Sequence, residues 1–253
     1  MIENLTQEEI QAVKFYIGDC KGYEQHPFWG ESRAYLVLNS LFFDGIRTEQ
    51  ARVAEGKFLN PEIVADPERL ENLLRTLLSA FRKSWNTENF TTYRVERFSD
   101  YQAMKCASRT ISFTSTSLNY FLKAYQDRTG IALMRFEIPA HTPCIHMQEF
   151  LQNYAKPEEA EILLPPFLNL HFEEIPVSDD EKKILDSEKN PPVCSCVVTV
   201  QELKLPDNPK NPGIKAKDLK KIYSALNCQN EISQEEIKFY TEWKKSLIYK
   251  ILH

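Results

Sequence analysis

The chain has 253 residues, a formal charge of -5 at neutral pH, 42% hydrophobic and 26% charged residues, proportions of a folded globular protein of one large domain or one and a half. No apolar run approaches the roughly 18 to 20 residues needed to cross a bilayer, and a pI near 5.7 argues against the clustered cations that neutralise nucleic-acid phosphates, so neither membrane nor nucleic acid is an expected partner. The seven glycines form neither G-x-G-x-x-G nor a P-loop, so any nucleotide must be held by side chains.

In chain order, Thr6 and Glu9 form a capping box that opens a helix over 6–17. Ser32–Phe43 reads as a strongly apolar second helix and Thr48–Glu55 as a short third. Asp66 caps and Pro67 begins a helix over 66–84, in which Leu70, Leu74, Leu77, Leu78 and Phe81 recur at helical spacing. After Trp85 the pattern changes to short β-branched or aromatic runs bounded by turn residues. Strands are predicted over Thr91–Val95, Ile111–Thr114, Ile131–Ile138, Cys144–Met147, Ala160–Leu164, Leu168–Ile175 and Val193–Leu203, with a helix over Ser117–Asp127 between the second and third. Strands in series with few intervening helices indicate an α+β class, with helices beside a largely antiparallel sheet.

The turn-rich string PDNPKNPG at 206–213 breaks the pattern, and helices follow near Ile214–Leu226 and over Ser233–Leu252, where Ser233 and Glu236 repeat the capping box. Lys215, Lys217, Lys220, Lys221, Lys244, Lys245 and Lys250 give this tail a basic tone, read either as solvated helix faces or as a partner-docking appendage. The expected organisation is a domain over 1–205, with a helical lead-in at 1–88 and a strand-rich core at 89–205, and a helical extension over 206–253. The six cysteines, Cys20, Cys106, Cys144, Cys194, Cys196 and Cys228, have no zinc spacing; Cys194 and Cys196 are expected on one strand face as small core residues. His141, His146 and His171 have no metal-like pairing. The start MIENLTQEEI lacks the basic and apolar regions of a secretory signal, so a reducing cytosol is expected as the place of action, either the producer's or one into which the chain is delivered as an effector.

Three motifs in the strand-rich part carry chemistry. Arg94, in TTYRV, offers a permanent planar charge suited to a pyrophosphate where no glycine loop exists; a lone arginine there could equally be a surface ion pair. Ser115, Thr116 and Ser117 place hydroxyls at a strand end, the serines on one side and the threonine on the other; they would also serve as an N-cap for a helix from Leu118. Glu159 and Glu161 lie two apart entering an apolar strand, so both carboxylates are expected on one side, about 6 to 7 Å apart along the backbone. Such a pair can divide into one ionised and one protonated member, or can simply guard a sheet edge.

In this order and with these gaps, the strings YR, FTSTS and EAEILLPP resemble the Arg / Ser-Thr-Ser / Glu-x-Glu signature of the arginine-specific branch of the mono-ADP-ribosyltransferases, a family of bacterial toxins and vertebrate ectoenzymes. Tyr16-Ile17-Gly18 and Leu38-Asn39-Ser40-Leu41 are more loosely similar to its helical lead-in. The resemblance covers roughly 10–205 and implies a split β-sandwich with a helical N-terminal part, here followed by a C-terminal helical appendage. It implies NAD as co-substrate, no metal, and an arginine-bearing acceptor protein. Glu161 would face the reacting ribose, Ser115 would position Glu161, and Glu159 would receive the acceptor. Tyr93, Arg94, Thr116, Ser117 and Phe113 would belong to the NAD site, with Phe113 or Tyr120 available to the nicotinamide ring and core packing the stronger role for Phe113. MQEFLQNYAKPE would be the acceptor loop, in which Phe150 and Tyr154 either meet the protein substrate or anchor a short helix. Two alternatives stay open: an NAD glycohydrolase on the same fold, with water as acceptor, and a catalytically inactive protein-binding module.

Overall fold

A computed structural model describes residues 4–17, 34–54, 56, 66–120, 130–150, 160–184, 194–203 and 215–252. Four helices come first: α1 (Gln7–Ile17), α2 (Ala34–Ser40), α3 (Arg47–Ala54) and α4 (Pro67–Lys83). Then follow β1 (Phe90–Arg97), α5 (Phe98–Ala107), β2 (Thr114–Ser117), β3 (Ile131–Ile138), β4 (Ile145–His146), α6 (Met147–Phe150), β5 (Glu161–Leu164), β6 (Leu168–Ile175), α7 (Asp179–Ile184) and β7 (Cys194–Leu203). The chain closes with α8 (Ala216–Asn227) and α9 (Gln234–Leu252). The mixed class and its helical beginning agree with the sequence.

Local chemistry accounts for the helix starts. The Thr6 amide donates to Glu9 Oε2 at 2.8 Å and the Glu9 amide to Thr6 Oγ1 at 3.2 Å, a reciprocal capping box for α1. The Asp66 carboxylate accepts the Arg69 amide at 3.2 Å and caps α4, whose Leu70, Leu74, Leu77, Leu78 and Phe81 are all buried. Two departures matter for the site. Helix α5 stands where none was predicted, because its N-cap residue Arg97 makes no side-chain capping bond and leaves no start signal. The helix predicted from Ser117 does not begin there: Ser117 ends β2 and residues 118–120 are bends, while 121–127 lie outside the described residues.

The strands form one order, β4-β5-β2-β1-β3-β7-β6, antiparallel throughout except for the parallel pair β3 and β7. β1 and β3 pair along their whole length, from Phe90 opposite Ile138 to Arg97 opposite Ile131. β1 and β2 meet at one register pair, Tyr93 opposite Ser117. The sheet is therefore two groups, of three and four strands, hinged at that pair. On one face, Met134, Phe136, Ile138, Ile162, Leu164, Cys196, Val198 and Val200 pack with Tyr101 and Met104 of α5 as the main core. Cys194 packs against its edge, partly buried, so both strand cysteines are core-facing. On the other face Tyr93 packs with Val95, Ile131 and Leu133.

The chain divides into two compact units. One is Phe81–Lys204 with the first two residues; the other combines Glu3–Ala80 with Leu205–His253. The boundary falls within α4. Inside the second unit, Asn39 Nδ2 donates to the Tyr16 hydroxyl at 3.0 Å, joining the two strings of the helical lead-in. Lys244, grouped by sequence with the exposed basic residues, is instead buried there. Its Nζ donates to the carbonyls of Ser40 (3.1 Å) and Gly45 (2.6 Å) and to the Glu49 carboxylate (3.0 Å).

Candidate active site

The ladder assembles the motifs. β2 lies between β1 and β5, so Tyr93 is opposite Ser117 and Ser117 is opposite Glu161. Directly opposed residues point to the same face, with Cβ atoms roughly 4.5 to 5.5 Å apart. Tyr93, Ser117 and Glu161 thus form a row across three adjacent strands, and Ser115, two residues before Ser117, shares that face. Thr116 points the other way, is buried, and donates through Oγ1 to the Ile162 carbonyl at 3.0 Å. It holds β2 to β5 from the core side.

Arg94 occupies the place where β1 and β2 separate. Its Nε donates to Glu96 Oε2 at 2.7 Å, one terminal nitrogen to the same carboxylate, and the other to the main-chain carbonyl of Ser115. Glu96 is buried, and its second oxygen accepts the Arg97 amide at 3.0 Å. The physical reason is the split itself: a diverging ladder leaves carbonyls without cross-strand donors, and a buried unpaired carbonyl is costly. The guanidinium spans the gap and ties Ser115 to β1.

The hydroxyl directly opposite Glu161 belongs to Ser117, whereas Ser115 is opposite Leu163, a diagonal neighbour at roughly 7 to 8 Å. Ser117 Oγ also accepts the Asn119 amide at 2.9 Å. The capping chemistry expected of the triplet is thus used, but in a local turn and not at a helix start.

Strand alternation does not reach Glu159. β5 starts at Glu161, and Ala160 has φ +39°, a left-handed conformation costing a non-glycine residue about 1 to 2 kcal/mol. The same-side argument for the two glutamates therefore stops at Ala160, and Glu159 itself lies outside the described residues. The Ala160 carbonyl accepts the Leu118 amide at 3.1 Å, fastening the approach to Glu161 onto the end of β2. Strained residues of this kind concentrate at functional sites.

Phe113 is placed in the core: it is 3% exposed and stacks on Phe81 with ring centroids 5.6 Å apart. Tyr120 stands in the open, its ring edge-on to Tyr93 at 5.0 Å. Burial and the nearby Glu181 carboxylate push its phenol up, while the charge of Arg135 and a hydrogen bond from it pull the other way. Arg135, which the motifs did not single out, sits on β3 directly opposite Tyr93. Its signal was present in sequence only as a charge within an apolar strand run. Of the acceptor-loop residues, Phe150 ends α6, while its side chain and all of Tyr154 lie outside the described residues. Among the described residues no group of three or more His, Cys, Asp or Glu side chains is arranged to hold a metal ion, and no helix is long and apolar enough to cross a membrane.

The arrangement offers one carboxylate beside a hydroxyl on a sheet face, with aromatic rings and a guanidinium along the same row. A carboxylate so placed can face a developing positive charge. No family model and no curated protein matches the chain. Among solved structures it is similar to an ADP-ribosyltransferase of Clostridium botulinum, with 14% identity over 78% of this chain and 88% of that one and a TM-score of 0.46. It is similar to C3stau2 from S. aureus, solved with NAD, with 16% identity over 79% and 91% and a TM-score of 0.47. A third is C3larvin toxin, an ADP-ribosyltransferase from Paenibacillus larvae, with 17% identity over 79% and 98% and a TM-score of 0.42.

Proposed function

We propose that this chain transfers ADP-ribose from NAD to an arginine of a protein, releasing nicotinamide. The observation that carries the reading is the row itself. Three strings distant in sequence and resembling the transferase signature fall on adjacent strands, with Ser117 opposite both Tyr93 and Glu161 and Arg94 bonded to Ser115.

In this reading the bond between the ribose anomeric carbon and the nicotinamide nitrogen breaks, and its electron pair leaves on nicotinamide. Positive charge grows on the ribose, and the Glu161 carboxylate stabilises it. An arginine nitrogen of the acceptor then attacks the same carbon and gives up a proton. Ser117, beside Glu161, helps fix the carboxylate and the ribose hydroxyls. Arg94 acts one step back, keeping β2 in register so that this row holds its shape. Glu159 receives the acceptor guanidinium, for which a carboxylate offers bidentate geometry.

The test is incubation with labelled NAD and a cell lysate, using the wild type beside Glu161→Ala and Glu159→Ala. Labelled protein is expected with wild type and none with Glu161→Ala, while Glu159→Ala loses arginine transfer yet still releases nicotinamide. Nicotinamide release by wild type without protein label would indicate water as the acceptor. Absence of both products with wild type would contradict an enzyme and favour a binding module.

A further inference from the structure

The sequence assigns the phosphates of the donor to Arg94, and the structure gives that guanidinium other work. Two of its nitrogens meet the buried Glu96 carboxylate and a third meets the Ser115 carbonyl, so its charge is matched within the sheet. We infer that Arg135 is the residue that receives a phosphate of the dinucleotide. This rests on the reading of the row as an NAD site.

Arg135 extends the row by one strand: Arg135 is opposite Tyr93, Tyr93 opposite Ser117, and Ser117 opposite Glu161. Three strand steps of roughly 4.8 Å put the Arg135 and Glu161 backbones about 14 Å apart on one face. A dinucleotide whose reacting ribose meets Glu161 carries its first phosphate on that ribose's C5′ and extends along this row. Tyr93 and Tyr120, edge to face with ring centroids 5.0 Å apart, line the interval, and Arg135 is hydrogen-bonded to the Tyr120 hydroxyl.

Among the described residues no carboxylate is bonded to this guanidinium as Glu96 is to that of Arg94. On β1 its opposite number is a tyrosine, and on β7 it is Val197. Its buried Nε has no hydrogen-bond partner among the described residues. Glu181, whose carboxylate acts on the Tyr120 phenol, has one oxygen on Ser195 Oγ (3.1 Å) and the other on the Ser178 amide (2.7 Å). A half-buried guanidinium with an unmatched donor is costly as it stands, and a planar five-donor group fits two phosphate oxygens at once.

The experiment measures binding of ADP, NAD and nicotinamide by calorimetry, together with NAD turnover, for wild type, Arg135→Met and Arg135→Lys. Circular dichroism confirms that each variant is folded. Loss of a charge-assisted phosphate contact predicts ADP and NAD affinities about ten- to a hundred-fold weaker in Arg135→Met. Nicotinamide affinity is expected to stay the same, and Arg135→Lys to recover part of the loss, since it restores the charge without the fork. Turnover at saturating NAD should change far less than KM. Unchanged ADP affinity in Arg135→Met, or equal weakening of all three ligands, would overturn the inference. If wild type cleaves NAD and Arg135→Met keeps its KM, Arg135 fails while the proposed function stands. If wild type binds ADP through Arg135 yet yields no nicotinamide, the function fails and the phosphate site stands. Wild type that binds neither ADP nor NAD overturns both.

Discussion

The two units of the chain each set a cation against a buried carboxylate, and the contrast between the pairs separates holding a fold from shaping a site. In the helical unit, Lys244 and Glu49 come from distant parts of the sequence, and their side chains are 1% and 0% exposed. Tyr240 adds its hydroxyl to the same Glu49 oxygen at 3.0 Å and is itself bonded to the Tyr223 hydroxyl. In the strand-rich unit, Arg94 and Glu96 are two residues apart, and the arginine keeps 27% of its side chain exposed. Sealed ionic networks fix which helices meet, because any other packing strands a charge away from water. A pair at the mouth of a strand split fixes the local spacing of two strands while leaving one face open to a ligand.

The largest effect expected from breaking this comparison is in the helical unit. Lys244→Met leaves Glu49 buried without its cation and should cost about 3 to 5 kcal/mol, read by urea denaturation. Adding Glu49→Leu should recover much of that loss, since the buried charge then disappears as well. Next is Arg94→Ala, which leaves the Glu96 carboxylate and the Ser115 carbonyl short of donors, and about 1 to 3 kcal/mol is expected. NAD cleavage by this variant should fall further than its stability predicts, because β2 loses its brace. A stability loss equal to that of Lys244→Met would erase the distinction between the pairs.

The smallest effect is at the start of α9. Lys221, and after it Ser233, hold Glu236 down to about 2 from an ordinary 4.5. A carboxylate depressed on folding stabilises above its unfolded value and loses that contribution as pH falls from about 4.5 towards 2. Glu236→Gln should therefore melt slightly below wild type at pH 6, by less than about 1 kcal/mol for so exposed a group, and the gap should narrow at pH 3.

How far the sequence reaches depends on whether the signal is local. Strands β3 and β6 lie where predicted, as do the capped ends of α1 and α4, since alternation and caps are local signals. Helix α5 was missed for want of a capping residue at Arg97. The Ser-Thr-Ser string looked like a helix cap because a hydroxyl that accepts an amide two residues on serves a turn equally well. The positive φ of Ala160 and the strand split are set by pairing partners far away in the chain, so no local pattern announces them. Lys244 shows the same limit: the lysines of the tail look alike until one is found folded against Glu49. Arg135 was passed over because it stands in an apolar run, and only the register to Tyr93 brings it to the site.

The most direct measurement is nicotinamide release from NAD by wild type and by Glu161→Gln, a substitution that keeps the shape of the side chain and removes its charge. A fall of about a hundred- to a thousand-fold in turnover is predicted, the scale for removing one electrostatic stabiliser of a transition state, with the melting temperature nearly unchanged. Turnover by the variant equal to that of wild type would contradict the placement of the reacting ribose against Glu161.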